Sequence, residues 1–160
     1  MIVRPARPVD FPAIRTVVTA AFGRADEADM IDLVRAGGQG LVELVAEVDG
    51  AIVGHILFSR MTSEPAALFA GLAPLAVDPE NQGRGIGGAL ARQGLEICRE
   101  LGAAGCVVLG APAYYGRFGF RRAPATITSR YASLEAFQAL AFDAEAFAGP
   151  MSLAYPPAFD

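Results

Sequence analysis

Four glycines lie within six residues, at positions 83, 85, 87 and 88, and Arg84 stands among them. The apolar run Leu72 to Val77 before them predicts a buried strand, and an apolar stripe from Ile86 to Leu101 predicts a helix after them. Glycine leaves backbone N–H groups uncovered, and the first turn of a helix adds unpaired donors and partial positive charge. This strand, glycine-rich turn and helix therefore predict an anion site that suits a pyrophosphate.

The type of phosphate ligand can be narrowed by comparing the turn with known phosphate-binding motifs. A P-loop ends in Gly-Lys-Ser or Gly-Lys-Thr, and this chain contains no lysine. A nicotinamide-dinucleotide site needs G-x-G-x-x-G, which Gly83, Gly85 and Gly88 provide, but it also needs an acid after the next strand. That strand, Cys106 to Leu109, ends without one. Two alternatives stay open: a dinucleotide site, and a turn that only packs the helix on the strand.

A third interpretation rests on two motifs in a fixed order. Gln82, Arg84, Gly85 and Gly87 fit the pattern Q-x-x-G-x-G, which resembles the acyl-CoA-binding signature of the GCN5-related N-acetyltransferases, the GNAT superfamily. The stretch Ala113 to Phe120 is similar to the superfamily's second motif, in which an aromatic-Tyr pair opens a short helix that ends in Gly-Phe. Details of this stretch and the ending Tyr155 to Phe159 resemble the YhbS-like branch of predicted acetyltransferases. One departure is that no Asn lies between Leu109 and Pro112, where many members carry one.

The resemblance, which covers about residues 1 to 142, implies a fold of the α/β (α+β) type. We expect a mixed central sheet with an antiparallel N-terminal half, a splayed pair of parallel strands and flanking helices. It also implies that acetyl-CoA is the acyl donor. No metal is expected, because the chain has a single histidine and its two cysteines lack metal-ligand spacing. The implied cofactor-binding residues are Leu75, Ala76 and Val77 for the pantetheine arm, and Gln82, Gly83, Arg84, Gly85, Ile86, Gly87 and Gly88 for the pyrophosphate.

By the same resemblance, Tyr115 matches the general acid that protonates the leaving sulfur after an amine attacks the thioester directly. Its ordinary pKa of about 10 keeps the phenol protonated at neutral pH, as this role requires. The base is not identified: Glu27, Glu43, Glu47, His55 and Glu64 are the candidates, and a chain of water molecules is a further alternative. A sensor that binds acyl-CoA without turnover remains an alternative to the enzyme.

The acceptor is expected to be a small-molecule or peptide amine. In the family, the second helix and the loop before it border the acceptor side, so the segment Gly23 to Met30 and the loop Met61 to Pro65 should flank that site. Both carry acids. Glu27 and Glu64 are therefore the candidate substrate contacts.

Several local patterns predict the remaining elements. Asp10 is expected to cap a first helix, with Val9 as a hydrophobic staple. The pair Asp49-Gly50 predicts a hairpin that sets Ala46 opposite Val53 and Leu44 opposite His55. Further strands are expected at the segments 2–6, 137–142 and 151–155, the last of them as an edge strand that Pro156-Pro157 ends.

Length and composition limit the class of protein. A chain of 160 residues predicts one domain, with a core of residues 1–142 and an extension of residues 143–160 packed on it. The net charge is −4, and the 13 basic residues are dispersed arginines, which disfavours a nucleic-acid partner. No apolar run is long enough for a membrane span. Cys98 and Cys106 have no metal-ligand spacing, and we expect a reduced, cytoplasmic protein that could form a homodimer.

Overall fold

Strands and helices fill most of the chain in the computed structural model, which describes residues 1–160. The helices are α1 (Phe11–Phe22), α2 (Asp26–Ala36), α3 (Ile86–Glu100) and the short α4 (Pro112–Tyr115). The strands are β1 (Ile2–Pro5), β2 (Gly40–Val48), β3 (Ala51–Arg60), β4 (Thr62–Glu64), β5 (Phe69–Val77), β6 (Gly105–Leu109), β7 (Arg121–Arg122), β8 (Ile127–Thr128), β9 (Phe137–Ala141) and β10 (Met151–Ala154). No helix is both long enough and apolar enough to cross a membrane.

The central sheet has seven strands in the order β1-β2-β3-β5-β6-β9-β7. Neighbours from β1 to β5 are antiparallel, β5 and β6 are parallel, and β9 is antiparallel to β6 and β7. Helix α3 makes the crossover between the two parallel strands, as a parallel pair requires. The predicted mixed sheet with an antiparallel N-terminal half is confirmed.

The two parallel strands separate towards their carboxyl ends. Their pairing runs from Phe69 opposite Gly105 to Leu72 opposite Val108 and goes no further. Strand β5 nevertheless continues to Val77 and stays paired with β3 on its other side. The edge of β5 from Ala73 to Val77 that faces β6 is therefore open, next to the glycine-rich turn and the start of α3.

Helices cover both faces of the central sheet. On one face α3 buries Ile86, Leu90 and Leu95 against strand residues that include Phe58. Gly94 is needed in this helix because a Cβ atom there would lie 2.2 Å from Cε2 of Phe58. On the other face, the same kind of apolar stripe from α1 and α2 packs on β2, β3 and β5.

The hairpin register predicted from Asp49-Gly50 is wrong beyond the first pairs. Ala46 lies opposite Gly54 and Val45 lies opposite His55, because β3 carries an extra residue, Val53, between the pairs. Such a bulge changes which side chains share a face. His55 consequently faces α1 and α2, and Leu44 does not oppose it.

Residues Met61 to Pro65 were expected to form a loop, and this is wrong for the part that forms β4. Strand β4 pairs with β10, which lies in the middle of a second sheet of order β4-β10-β8. The expected edge strand at the C-terminus is therefore a central one. Strand β4 could not be predicted from sequence because three residues are too few to show the alternation of a strand and because its partner, β10, lies far along the chain.

The start of α1 also differs from the prediction. The carboxylate of Asp10 makes no capping bond to α1 and instead accepts hydrogen bonds from Arg4 and from the Arg7 N–H. Val9 is 77 % exposed and so cannot act as a staple. Asp10 is buried because its negative charge has a guanidinium partner.

Candidate functional site

The segment that leads into the glycine-rich turn is fixed by two side-chain hydrogen bonds. Asp78 accepts one from the Glu80 N–H at 3.3 Å, and the Gln82 amide donates one to the Val77 carbonyl at 3.0 Å. Gly83 and Gly85 have φ values of 78° and 79°, a region that glycine adopts without strain. Gly85 is the N-cap of α3. The free N–H groups of the first turn of α3 therefore point out of a rigid turn, as an anion site requires.

A cavity of about 460 Å³, here called the turn cavity, opens at this point. It lies between the glycine-rich turn, the end of β5 and the short helix α4. Gly87 allows the close approach of α4, because a Cβ atom there would lie 2.8 Å from the Tyr114 hydroxyl oxygen. The predicted residues that line the cavity are Leu75, Val77, Gln82, Gly83, Gly85, Ile86, Gly87 and Gly88.

Two predicted cofactor residues do not line the turn cavity. Ala76 is 2 % exposed and packs in the core beneath α1 and α2, because neighbours on a strand face opposite sides. The side chain of Arg84 is exposed and lies outside the cavity lining. Arg92 and Arg117 line it instead. Arg92 could have been found from its position four residues after Gly88, on the same helix face.

Tyr115 lies at the boundary between the turn cavity and a second cavity and lines both. Its ring packs edge-on against Tyr114 at 5.0 Å and against Phe120 at 5.9 Å between ring centroids. Gly110 makes room for it, since a Cβ atom there would lie 2.3 Å from a ring carbon of Tyr115. Burial raises the pKa of Tyr115 to about 12, so the phenol stays protonated well above neutral pH. Tyr114 lines only the turn cavity.

The second cavity has a volume of about 440 Å³ and is here called the aromatic cavity. It touches β5 from Leu72 to Leu75, where the parallel strands separate. Most of its other lining residues are apolar or aromatic and come from distant segments: Phe22, Met30, Leu109, Tyr131, Tyr155 and Phe159. Its only charged lining residues are Arg24 and Glu27, and the Arg24 Nε donates to the Glu27 carboxylate at 2.6 Å.

The two predicted substrate contacts are placed differently. Glu27 lines the aromatic cavity together with Tyr115, and its side chain is 11 % exposed. Glu64 lies on β4, is exposed and lines neither the aromatic nor the turn cavity. The structure thus brings Glu27, but not Glu64, into one cavity with Tyr115.

His55 belongs to a buried charge network outside both cavities. Its Nε2 lies 2.9 Å from Glu43 Oε1, and Arg35 donates to the same carboxylate. Burial lowers the pKa of His55, although Glu43 opposes the shift, and Nδ1 has no hydrogen-bond partner. The pKa of Glu43 is also lowered: burial opposes this, but the hydrogen bonds from His55 and Arg35 outweigh it. Both residues are held by structural partners, and neither lines the turn cavity or the second cavity that Tyr115 borders.

Glu47 likewise forms a salt bridge, in which its Oε1 atom lies 2.6 Å from Nη2 of Arg4. Among the five residues considered as a base from sequence, only Glu27 lines a cavity next to Tyr115.

The two cysteines are free and buried. Burial raises the pKa of the Cys98 thiol to about 12 and that of Cys106 well above its ordinary value, which leaves neither thiol reactive at neutral pH. No group of three or more His, Cys, Asp or Glu side chains is placed to hold a metal ion.

The sequence matches known proteins over most of its length. Residues 11–120 match the model of the Acetyltransferase (GNAT) family. The chain is 44 % identical over 116 residues to the Uncharacterized N-acetyltransferase YjhQ of Escherichia coli K12, covering 69 % of this chain and 64 % of YjhQ, which is less than two thirds of that relative. It is 37 % identical over 125 residues to the Uncharacterized N-acetyltransferase YhbS of the same strain, covering 77 % of this chain and 75 % of YhbS.

Two solved structures share the fold over nearly the whole chain. A GNAT family acetyltransferase from Brucella melitensis, crystallised with acetyl-CoA, superposes with a TM-score of 0.83 and 40 % identity, covering 99 % of this chain and 97 % of the other. The YhbS protein of Escherichia coli, crystallised with CoA, superposes with a TM-score of 0.92 and 32 % identity, covering 99 % and 91 %.

Proposed function

This chain belongs to the acetyltransferase (GNAT) family, and we propose that it transfers the acetyl group of acetyl-CoA directly to a small-molecule or peptide amine. The observation that carries the proposal is the position of Tyr115. Its ring lies at the end of the open edge of β5 and borders both the turn cavity and the aromatic cavity. A donor in one cavity and an acceptor in the other would meet at this side chain.

The turn cavity suits the CoA part of the donor. N–H groups at the start of α3 can bind the pyrophosphate, and Arg92 and Arg117 add positive charge beside them. The pantetheine arm can bond the open edge of β5 from Ala73 to Val77 as an additional strand would. The Brucella acetyltransferase and YhbS, which were crystallised with acetyl-CoA and CoA, support this placement by their likeness in fold.

The chemistry follows from where the thioester would lie. The amine nitrogen attacks the carbonyl carbon, a C–N bond forms, and the C–S bond breaks to release CoA as a thiolate. The amine loses one proton, and the sulfur gains one, so the products are an amide and the free thiol. Tyr115 is the neutral donor beside the sulfur, and it recovers its proton from the nitrogen or from solvent.

The raised pKa of Tyr115 limits how it acts. A thiol with a pKa of about 8.5 is a stronger acid than a phenol with a pKa near 12, so complete transfer of the phenol proton is uphill. We therefore assign Tyr115 as a general acid that first stabilises the developing thiolate through a hydrogen bond. The proton then moves as the nitrogen releases its own.

A CoA-release assay tests the proposal. Purified protein is mixed with acetyl-CoA and a panel of primary amines, and free thiol is measured for wild type and for Tyr115→Phe. We expect amine-dependent release by the wild type and a large loss in the variant. Acetyl-CoA that binds without release to any amine would favour the sensor. A thermal shift with NAD but none with acetyl-CoA would favour the dinucleotide enzyme.

A further inference from the structure

The charge and shape of the aromatic cavity limit which amines can enter it. Its one carboxylate, Glu27, is paired with Arg24, so the cavity has no net charge, although the carboxylate oxygens can accept one further hydrogen bond. Acceptors with several positive charges need several unpaired acids, and phosphorylated acceptors need unpaired cations. Neither kind of group lines this cavity. An acceptor with a single charge and an apolar body fits it better.

One wall of the cavity is made of three aromatic rings. Tyr155 packs against Phe159 at 4.8 Å and against Tyr131 at 6.2 Å between ring centroids. The Tyr155 hydroxyl donates to the Val107 carbonyl at 3.3 Å, which fixes the ring against the central sheet. A rigid wall of rings favours a flat apolar partner, which gains from both area burial and ring–ring contact.

The apolar surroundings also help to supply the neutral amine that the reaction needs. An ammonium ion loses hydration when it enters an apolar cavity, and this lowers its pKa. The ammonium then gives one proton to solvent, and the free amine is left beside Tyr115. This route requires no separate base. That agrees with the structure, in which Glu47 is paired with Arg4, and Glu43 is bonded to Arg35 and His55.

We propose that the acceptor is a primary amine with one positive charge on a flat apolar body of one or two rings, bound between Glu27 and the wall of Tyr131, Tyr155 and Phe159. A volume of about 440 Å³ suits a molecule of that size. The proposal rests on the proposed acetyl transfer and names its acceptor class. It also gives the last residues of the chain a function, because Tyr155 and Phe159 complete the site.

The test compares 2-phenylethylamine with spermidine and ethanolamine as acceptors at fixed acetyl-CoA. Burial of one aromatic ring should raise kcat/KM for phenylethylamine by roughly ten- to a hundredfold over ethanolamine. Phe159→Ala should raise the KM of phenylethylamine by about tenfold and leave the acetyl-CoA Kd unchanged. Leu134→Ala, which removes an exposed apolar side chain that lines neither cavity, is the matched control and should change nothing.

Each other outcome has a distinct meaning. A preference for spermidine or ethanolamine, or an unchanged phenylethylamine KM in Phe159→Ala, overturns the acceptor class. If Phe159→Ala instead changes the KM of hexanoyl-CoA and not that of the amine, the cavity holds a long acyl chain. Calorimetry that detects no phenylethylamine binding to a protein that binds acetyl-CoA also overturns the acceptor class. Absence of acetyl-CoA binding contradicts the proposed function itself.

Discussion

The turn cavity and the aromatic cavity have nearly the same volume, about 460 and 440 Å³, and both are lined by Leu75 and Tyr115. They differ in what they offer a ligand. The turn cavity offers main-chain N–H groups and arginines, whereas the aromatic cavity offers rings and one neutralised ion pair. Main-chain N–H groups do not depend on residue identity, so the turn cavity suits a ligand that related proteins share, such as the CoA part of the donor. The side chains of the aromatic cavity can change by substitution, so it suits an acceptor that differs between related proteins.

The largest effect is expected from a charge placed in the turn cavity. Gly85→Asp sets a carboxylate where the pyrophosphate would bind, and repulsion of about 4 kcal/mol at close range should weaken acetyl-CoA binding roughly a thousandfold. Gly38→Asp is the matched control, because Gly38 has a φ of 68° with no atom near a Cβ and lines neither cavity. Calorimetry on both folded variants measures the difference, and equal affinities would refute the anion site.

A substitution of Tyr115, which lies between the two cavities, should slow the reaction without weakening acetyl-CoA binding. General acid catalysis is typically worth 10²- to 10⁴-fold, so Tyr115→Phe should lower kcat by roughly that factor while the acetyl-CoA Kd stays within about threefold. Tyr114→Phe, which faces only the turn cavity, should retain most activity. The measurement is single-turnover CoA release with a good amine. If Tyr114→Phe is nearly inactive while Tyr115→Phe stays active, the general acid is Tyr114 and the assignment to Tyr115 is wrong.

The pH profile gives an independent test of Tyr115. Because burial raises its pKa to about 12, the proton-donating form persists above the ordinary phenol pKa of about 10. The wild-type kcat should therefore not fall between about pH 8 and about pH 10. A decline with a midpoint near the ordinary pKa would show that the phenol is less buried during turnover than in the free protein.

A smaller effect is expected on the acceptor side. Glu27→Gln removes the carboxylate that lines the aromatic cavity, and loss of one charged hydrogen bond should raise the acceptor KM by about tenfold. The acetyl-CoA Kd should not change. Glu64→Gln serves as the control, since Glu64 is exposed on β4 and should leave both values alone. If the Glu64 variant shows the larger change in acceptor KM, the acceptor lies elsewhere.

The smallest effect on function is expected outside both cavities, at His55. Burial lowers its pKa in the folded protein, so the unfolded chain binds the proton more readily, and stability is lost as pH falls below about 6.5. His55→Gln should lose less stability than wild type between about pH 7 and about pH 5.5, by up to about 1.4 kcal/mol per pH unit. Urea unfolding at the two pH values measures this, and identical losses would contradict it. Acetyl-CoA affinity should be unchanged.

The turn cavity could be predicted from sequence because its residues are nearly contiguous. A strand, a run of glycines and a helix each have a short-range signal, and the motif from Gln82 to Gly88 supplies six of the 13 residues that line the turn cavity. The family, its YhbS-like branch and the mixed sheet are confirmed. The side chain of Ala76 faces the core, because strand side chains alternate between faces, and this leaves its predicted contact with the pantetheine arm to the main chain.

The aromatic cavity could not be predicted in the same way. Tyr131 and Tyr155 lie outside regular elements and Phe159 lies in a single 3-10 turn, and the end of the chain is positioned by the pairing of β10 with β4 and β8 and by packing of Phe159 against the α1 and α2 cluster. Pairing between segments so far apart leaves no local period in the sequence. The bulge in β3 had one available signal, Gly54 within a strand, since an interior glycine often marks a bulge or a close approach. A Cβ atom at Gly54 would in fact lie 2.9 Å from Ile86.

The central claim is that acetyl-CoA binds in the turn cavity and leaves the aromatic cavity free for the acceptor. It is tested most directly by amide hydrogen exchange with and without acetyl-CoA. The first N–H groups of α3 have no helical partner and should exchange quickly in the free protein. Acetyl-CoA should slow exchange from Gln82 to Gly88 and from Ala73 to Val77, and leave the segments 22–30 and 155–159 within about twofold of the free rate. Protection of residues 155–159 with none at the glycine-rich turn would contradict the account.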